Sequence, residues 1–486
     1  MTRRQRLTLI AAILGSAVAT IDGTIVNVAL PAIERDLGGG LSAQQWIPSA
    51  YLLTLGSFIL IGGSLGDIYG ERRVFSIGVA AFGLLSIACA LAPTIGVLIA
   101  ARALQGVAGA LLTPSSLAVI VAAFGPRERG AAIGAWTAWG AIGVIAGPLA
   151  GGWLVDSASW RWIFAINVPI VISTLVLVSM AVPRTTRAKV RRVDIVGALL
   201  CVVGLGGLVF ALIEEPHFGW GSVTIFVPAL VGALAFAAFL AYERRTPEPM
   251  LDYALFRRRN FSMANLETLA VYAGLAILFF FLVIFLQQVA GYSALRSGMT
   301  TLPVTFIMFA LSRRFGALAD RYGPRYFMAA GPLIAAGGIL LLLRAGAKVS
   351  YVSDLLPALT LFGVGLAMTV APLTATVLAD ADESDAGIAS AINNAVARIA
   401  GLAGVSVIGA VVASTLVGDT FAHNTQSVRG FHEVIAICAA LVAAGGVAGA
   451  IGIVNPRRAV EAESCSSGAL VAVPPPAATG GIGLNR

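Results

Sequence analysis

Three charged residues, Asp22, Arg102 and Glu267, each stand inside a long run of apolar residues. At the centre of a lipid bilayer a charged side chain costs roughly 2.5–3.5 kcal/mol on insertion scales, so such residues usually face a partner or a water-filled cavity. A carboxyl group that is removed from water holds its proton more tightly. Asp22 and Glu267 are therefore candidate sites for binding and releasing protons, and Arg102 is a candidate partner of Asp22.

Each of these residues also has a structural interpretation, which the sequence leaves open. Asp22 could serve packing through hydrogen bonds from threonine or asparagine, and Arg102 could anchor helices 1, 2 and 4. Glu267 could contact a cationic substrate, or it could extend to the membrane surface beside Arg257 to Arg259. Arg398, in a later apolar run, is equally ambiguous.

The residues needed for several other kinds of chemistry are not found. The sequence contains no catalytic triad, phosphate-binding loop or cluster of metal ligands. The histidines are scattered, and the spacing of the cysteines matches neither a disulfide framework nor a metal site. We therefore predict that the protein is not an enzyme, binds no metal and needs no cofactor.

The composition indicates a membrane protein. Of the 486 residues, 58% are hydrophobic and 12% are charged, whereas soluble domains carry about 25% charged residues. No soluble core could hide this much apolar surface. The net charge of +8 does not indicate nucleic-acid binding, because the basic residues lie in short loops between apolar runs. The sequence predicts an all-α integral membrane protein.

Apolar runs between charged or turn-rich loops predict fourteen transmembrane helices, since each span needs roughly 20 apolar residues. The predicted limits are 7–30, 45–66, 74–92, 95–123, 130–154, 161–182, 193–213, 223–242, 261–286, 298–318, 326–344, 353–378, 386–416 and 431–454.

The distribution of basic residues predicts the orientation. Lys and Arg concentrate in alternate loops, beginning with Arg3, Arg4 and Arg6, as is typical of loops that stay in the cytoplasm. The apolar run 7–31 is too long for a signal peptide. We therefore predict a multi-pass protein of the cell membrane, of a bacterial plasma membrane by its composition, with both termini in the cytoplasm.

One loop pattern occurs twice. Residues 63–72 and residues 316–325 both read Gly-x-Leu-x-Asp-x-x-Gly-x-Arg, and each segment links two apolar helices on the predicted cytoplasmic side. A tight turn explains one copy, because Gly permits a positive φ and Asp caps the next helix. Two copies at matching positions indicate an internal repeat, which is typical of transporters whose two halves rock around a central site.

The repeat predicts four parts of the chain. Residues 1–183 form an amino-terminal six-helix half and residues 259–454 a carboxy-terminal one. Residues 184–258 hold two additional helices with their linkers. Residues 455–486, rich in Ser, Ala, Gly and Pro, form a disordered cytosolic tail.

Four further segments carry a resemblance to a known family. They are residues 22–31 (Asp-Gly-Thr-Ile-Val-Asn-Val-Ala-Leu-Pro), residues 102–106 (Arg-Ala-Leu-Gln-Gly), residues 160–169 (Trp-Arg-Trp-Ile-Phe-Ala-Ile-Asn-Val-Pro), and a helix 5 motif of Gly143, Gly147, Pro148, Gly151 and Gly152. With the repeated loop, they resemble the fourteen-span drug/proton antiporters of the major facilitator superfamily. Two departures are Ile68, where the family usually has Arg, and Glu267, where a neutral residue is expected.

The resemblance implies two six-helix halves with two extra central helices, and proton-driven export by alternating access. It implies a proton-coupling role for Asp22 and Arg102, to which we add Glu267. One face of helix 5 carries Gly140, Gly143, Gly147 and Gly151, and this stripe is predicted to pack as a seal between the halves. The residues predicted to form a cytoplasmic conformational latch are Asp67, Arg72, Arg73, Asp320, Arg321 and Arg325. Those predicted to line the substrate cavity are Asn27, Trp136, Tyr272 and Asn393.

Several functions remain open at this point. The preferred one is a proton-coupled antiporter, functional as a monomer, that exports small amphipathic compounds such as drugs, antibiotics or lipophilic cations. Alternatives are an exporter of one specific metabolite or lipid, an uptake symporter, and a membrane enzyme or sensor. The predicted partners are a small-molecule substrate, protons and the lipid bilayer, without nucleic acid.

Overall fold

The computed structural model describes residues 1–183, 194–246, 253–379, 386–412 and 424–455. The side chains of a few helical residues within these ranges, among them Asp67, are outside the description. The predicted tail beyond residue 455 also lies outside the described residues. The described part of the chain is helical and contains no β-strand. The predicted all-α membrane fold is therefore confirmed.

The first bundle consists of the helices up to residue 181. Its first helix opens with a capping box, in which the Thr2 hydroxyl accepts a hydrogen bond from the Gln5 backbone and the Gln5 side chain accepts one from the Thr2 backbone. The helices are α1 (Arg3–Leu37), α2 (Gly40–Tyr69), α3 (Glu71–Ala90), α4 (Ile95–Ala123), α5 (Pro126–Ser157), α6 (Trp162–Ala165) and α7 (Asn167–Ala181).

A hairpin and a second bundle follow. The hairpin is α8 (Ile195–Phe218) and α9 (Val223–Glu243), and a short helix α10 (Tyr253–Arg257) precedes the second bundle. The second bundle contains α11 (Arg259–Ile284), α12 (Ala294–Thr300), α13 (Leu302–Tyr322), α14 (Pro324–Leu341), α15 (Leu356–Ala379), α16 (Ala386–Val412) and α17 (Thr425–Gly452). A π-helical turn, Phe285–Val289, continues α11, and another, Tyr351–Leu355, precedes α15.

Thirteen helical segments within the described residues are long and apolar enough to cross a membrane. The thirty-residue helix α2 is not among them, so the total of fourteen spans stays a prediction. One predicted span, 298–318, divides into α12 and α13. Pro303 lies in the first turn of the second piece, where its missing backbone donor does no harm.

The packing of the two bundles repeats. Helices α2 and α3 pack on α4, as α13 and α14 pack on α15. Helix α1 packs on α5 and α7, as α11 packs on α16 and α17, and the pair α3 and α7 corresponds to α14 and α17. The bundles thus share one internal arrangement, as an internal repeat requires. The predicted domain limits stay a prediction, because parts of the linkers lie outside the described residues.

The repeated loop has the same geometry in both copies. Gly70 and Gly323 each have a φ of 93°, in the left-handed region that favours glycine. The backbone N–H of each donates to the carbonyl four residues earlier, at 2.9 Å and 2.8 Å. The matching arginines bind the carboxyl end of the last helix in their own bundle, Arg72 at Val182 O (2.9 Å) and Arg325 at Ala450 O (2.8 Å). Cations suit these carbonyls because the helix dipole is negative there.

The side of the molecule that carries the amino terminus is called the near side here, and the opposite side the far side. The two bundles are hydrogen-bonded to each other on the far side. The carboxylate of Asp156, at the end of α5, accepts bonds from the first two backbone N–H groups of α12, at 3.0 Å and 2.8 Å. Gln287 donates to Val28 O at 2.9 Å, and Gln45 donates to Val405 O at 2.5 Å. These contacts close the far side.

The glycines of α5 divide between two neighbours. Gly147 and Gly151 face α1, where a Cβ would collide with Thr24 and Ile25. Gly152 faces α12 instead, because a Cβ on it would come within 2.5 Å of the Leu295 Cα. The stripe formed by Gly143, Gly147 and Gly151 therefore packs within the first bundle, and the contact to the second bundle runs through Gly152 and Pro148.

The hairpin α8–α9 contacts both bundles along one seam. Leu205 of α8 packs with Leu53 of α2 and with Leu402 of α16. The carboxylate of Glu214 accepts a hydrogen bond of 2.7 Å from the Trp46 indole of α2. The hairpin therefore covers the line where α2 meets α16.

Replacing Gly152 by Ala should weaken the far-side closure. The new methyl group meets backbone rather than a flexible side chain, and such overpacking costs typically 1–3 kcal/mol. We expect the far ends of the bundles to separate in a larger fraction of molecules. The measurement is the distance distribution between spin labels at Leu91 and Val352, two exposed far-side positions.

The matched control is Gly134→Ala in the same helix, where a Cβ would meet nothing within 4 Å. Equal distance distributions for the two variants would show that the Gly152 contact does not hold the far side closed.

Candidate functional site

The candidate proton residues Asp22 and Arg102 form an ion pair inside the first bundle. The Arg102 Nη1 lies 2.5 Å from the Asp22 Oδ2, and the two side chains are 1% and 0% exposed. Asp22 lies on α1 and Arg102 on α4, so the pair joins two helices of the bundle. The partner that the sequence offered for Arg102 is therefore the one present in the structure.

A shell of neutral polar side chains surrounds the pair. Asn167, the first residue of α7, donates to the Asp22 Oδ1 at 3.1 Å and to the Ser86 Oγ at 3.2 Å. Gln105, one turn after Arg102 on α4, accepts from its Nη1 at 2.7 Å and donates to Ser86 at 2.8 Å. Four helices, α1, α3, α4 and α7, thus meet in one buried hydrogen-bond network. Ser86 was not among the predicted site residues, although it is also a polar residue inside an apolar run.

Aromatic and backbone groups complete the surroundings of Arg102. Its guanidinium carbon lies 4.3 Å from the centroid of the Tyr51 ring and 5.8 Å from that of Phe164. Its Nε donates to the Ile47 carbonyl at 3.4 Å. Through Tyr51 and Ile47 the network also reaches α2, which contacts the second bundle through α16.

Glu267 lies in a different environment in the second bundle. Its side chain is 0% exposed, and neither carboxyl oxygen has a hydrogen-bond partner among the described residues. Gly449 of α17 makes room for it, because a Cβ there would come within 2.7 Å of Glu267 Oε2. The interpretation in which Glu267 extends to the membrane surface is therefore wrong. An ionised carboxylate without partners would carry a large desolvation cost, so this site suits the neutral acid.

A cavity of about 250 Å³ opens in the second bundle between α11, α15 and α16. It brings together two of the predicted cavity residues, Tyr272 and Asn393. The amide of Asn393 donates to Asn265 Oδ1 at 3.1 Å and to Thr268 Oγ1 at 2.8 Å, which fixes its orientation on α11. The residues lining the cavity are Tyr272, Thr374, Val377, Leu378, Ser390, Asn393, Asn394, Ala397 and Arg398.

The other two predicted cavity residues lie in the first bundle. Trp136 packs in a hydrophobic cluster with Leu9, Ile120 and Phe124, where α1, α4 and α5 meet. Asn27 is half-buried on α1 and does not line the cavity of the second bundle. Their contact with substrate stays a prediction.

The predicted latch residues also have different environments. Arg72 and Arg325 bind helix carbonyls within their own bundles, as described above. Arg73 and Asp320 are exposed, and the Arg321 guanidinium lies 5.4 Å from the Tyr322 ring. The side chain of Asp67 lies outside the described part. The latch therefore stays a prediction.

Breaking the ion pair from one side should destabilise the protein strongly. Arg102→Met leaves Asp22 buried without a counter-charge, and removal of one partner of such a pair costs about 3–5 kcal/mol. Thermal unfolding of the purified protein measures the effect.

The double variant Asp22→Asn with Arg102→Met is the control, since it removes both charges. We expect it to regain most of the lost thermal stability. A double variant as unstable as Arg102→Met alone would contradict the assigned role of the charge pair.

The chain resembles known proteins along most of its length. A family model for the Major Facilitator Superfamily matches residues 12–405. A multidrug resistance protein of Mycobacterium tuberculosis is 36% identical over 95% of this chain and 86% of its own length. A tetracenomycin C resistance and export protein of Streptomyces glaucescens is 34% identical over 85% of this chain and 77% of its own.

Solved structures support the fold. One similar structure is the crystal structure of a bacterial homolog of the human lysosomal transporter Spinster, in an inward-facing and unoccupied conformation. The two structures align over 93% of this chain and 97% of the homolog, with a TM-score of 0.65 and 14% sequence identity. Together with the family match and the repeated helix bundle, this likeness shows that the chain belongs to the Major Facilitator Superfamily and is a multi-pass membrane transporter rather than an enzyme.

Proposed function

We propose that this transporter is a proton-coupled antiporter that exports small amphipathic organic compounds across the bacterial plasma membrane. The observation that carries the proposal is the buried pair of Asp22 and Arg102 with its polar shell. Ionisable groups inside a membrane bundle commonly mark proton relays. The names of the relatives, which concern drug resistance and export, support the choice of cargo and direction.

The pair gives a proton a way to act on helix packing. When Asp22 takes up a proton, its negative charge is lost, and the ionic attraction between Asp22 of α1 and Arg102 of α4 is weakened. Arg102 keeps two other acceptors, the Gln105 Oε1 and the Ile47 carbonyl. The preferred arrangement of the first bundle therefore depends on whether a proton is bound, which is the requirement for coupling.

The closed far side supports alternating access. The basic loops support a near side in the cytoplasm, and with that orientation the conformation described here is closed toward the exterior. A compound would enter from the near side and leave after the bundles rock about their contact. Each proton that moves inward supplies about 2.3 kcal/mol per 100 mV of membrane potential. The proposal includes cytoplasmic termini, a functional monomer and the domain limits 183/184, 258/259 and 454/455.

Glu267 is proposed as a second protonation site. Its carboxyl group is buried without partners in the described residues, and it occupies the first helix of the second bundle, as Asp22 occupies that of the first. The two sites differ in depth: Asp22 is the twentieth residue of α1 and Glu267 the ninth of α11.

The test is proton movement in liposomes that contain the purified protein. With an acidic lumen, we add amphipathic compounds outside and follow the lumenal pH. The parent should release protons in exchange for a transported compound, and Asp22→Asn should do so at least tenfold more slowly. Asp354→Asn is the matched control, because Asp354 lies in the far-side turn that precedes α15 and, among the described residues, bonds only backbone and Ser353.

The outcomes separate the alternatives. If Asp22→Asn matches the parent, Asp22 does not couple protons, and Glu267→Gln is tested in the same assay. If compounds move in the same direction as the protons instead of exchanging with them, the protein is an uptake symporter. Activity with one compound alone would favour an exporter of a specific metabolite or lipid.

A further inference from the structure

Arg398 stands near the middle of a membrane-spanning helix and has no part in the proposed proton pathway. It is the thirteenth residue of α16, about 18 Å along the helix axis from Ala386 at 1.5 Å per residue. An arginine at this depth is costly, and such residues mark substrate or ion pathways in membrane proteins.

The surroundings of Arg398 differ from those of Arg102. Arg102 is buried against Asp22 and Gln105. Arg398 is exposed on the wall of the cavity and has neither a hydrogen bond nor an ion pair with any of the described residues. Its five N–H donors are therefore available to a molecule that enters the cavity.

The cavity around Arg398 is polar on one side and apolar on the other. No acidic side chain is among the residues that line it. Tyr272, whose hydroxyl also has no hydrogen bond with the described residues, lines the same space. Val377, Leu378 and Ala397 supply the apolar part of the lining. A positive charge beside a free hydroxyl and an apolar wall suits a molecule with an acidic group and a hydrophobic body.

We propose that Arg398 binds an anionic group of the transported compound, a carboxylate, phosphate or sulfonate, while Val377 and Leu378 contact its apolar part. The guanidinium can bind such a group through two parallel hydrogen bonds, which water in the cavity cannot replace equally well. A lipophilic cation meets a like charge here, so the cavity disfavours the cationic compounds considered from the sequence. This inference rests on the proposed export function for its biological meaning, but its binding chemistry is independent of proton coupling.

The test is equilibrium binding to the full-length protein in phosphatidylcholine nanodiscs, without any gradient. Three probes share one aromatic body and differ in charge: 9-anthracenecarboxylate, 9-anthracenemethanol and 9-anthracenemethylammonium. We expect the carboxylate to bind at least tenfold more tightly than the ammonium, as measured by fluorescence anisotropy. Arg398→Gln should weaken binding of the carboxylate at least tenfold and change binding of the neutral alcohol less than threefold.

Two variants act as controls. Arg398→Lys keeps the charge but loses the two parallel hydrogen bonds, so its affinity for the carboxylate should be intermediate. Arg344→Gln removes the same charge at an exposed position outside the cavity and should bind like the parent. Unchanged binding of the alcohol by Arg398→Gln shows that the variant is folded.

Competition identifies the source of the acidic group. Displacement of 9-anthracenecarboxylate by phosphatidic acid in the nanodisc supports a lipid headgroup, and displacement by inorganic phosphate supports a soluble anion. Equal affinity of the parent and Arg398→Gln for the carboxylate overturns the proposal, as does tighter binding of the ammonium than of the carboxylate. Because no proton gradient is present, these results hold whether or not the protein couples export to protons.

Discussion

A lipid bilayer cannot solvate a charge, and this constraint governs the interior of the molecule. The structure deals with it in three ways. Asp22 and Arg102 neutralise each other inside a hydrogen-bonded shell. Glu267 is enclosed without a partner in the described residues, where a neutral acid costs far less to bury than a carboxylate. Arg398 faces a cavity, where water or a ligand can solvate it.

The repeated loop shows how one backbone geometry serves both bundles. The positive φ of Gly70 and Gly323 turns the chain after one helix and into the next. Arg72 and Arg325 are then placed against the carboxyl ends of α7 and α17. The similarity of the two segments in sequence therefore reflects a shared turn and a shared helix cap.

The sequence predicted where the helices lie better than which side of each helix faces the bundle. Long apolar runs located the helices, and two opposite charges in such runs indicated the pairing of Asp22 with Arg102. It did not predict that Trp136 packs between α1, α4 and α5 or that Gly147 faces α1. In a membrane both the lipid-facing and the bundle-facing sides of a helix are apolar, so the hydrophobic pattern does not determine which side faces inward. Polar residues such as Ser86 carry the remaining signal, but only in combination with neighbours on other helices.

At the near side, the first helix of each bundle is hydrogen-bonded to the end of the last helix of the same bundle. Arg4 of α1 binds the carbonyl of Ala181 at the end of α7 (3.0 Å), and Arg259 of α11 binds that of Gly452 at the end of α17 (2.8 Å). Each bundle is thereby closed into a ring, with its first helix fastened to its last. The connection through α8 and α9 is not part of either ring. Within the described residues, the bonds that fasten each ring are separate from those of Asp156 and Gln287 that join the two rings, so the second set can break while the first stays formed.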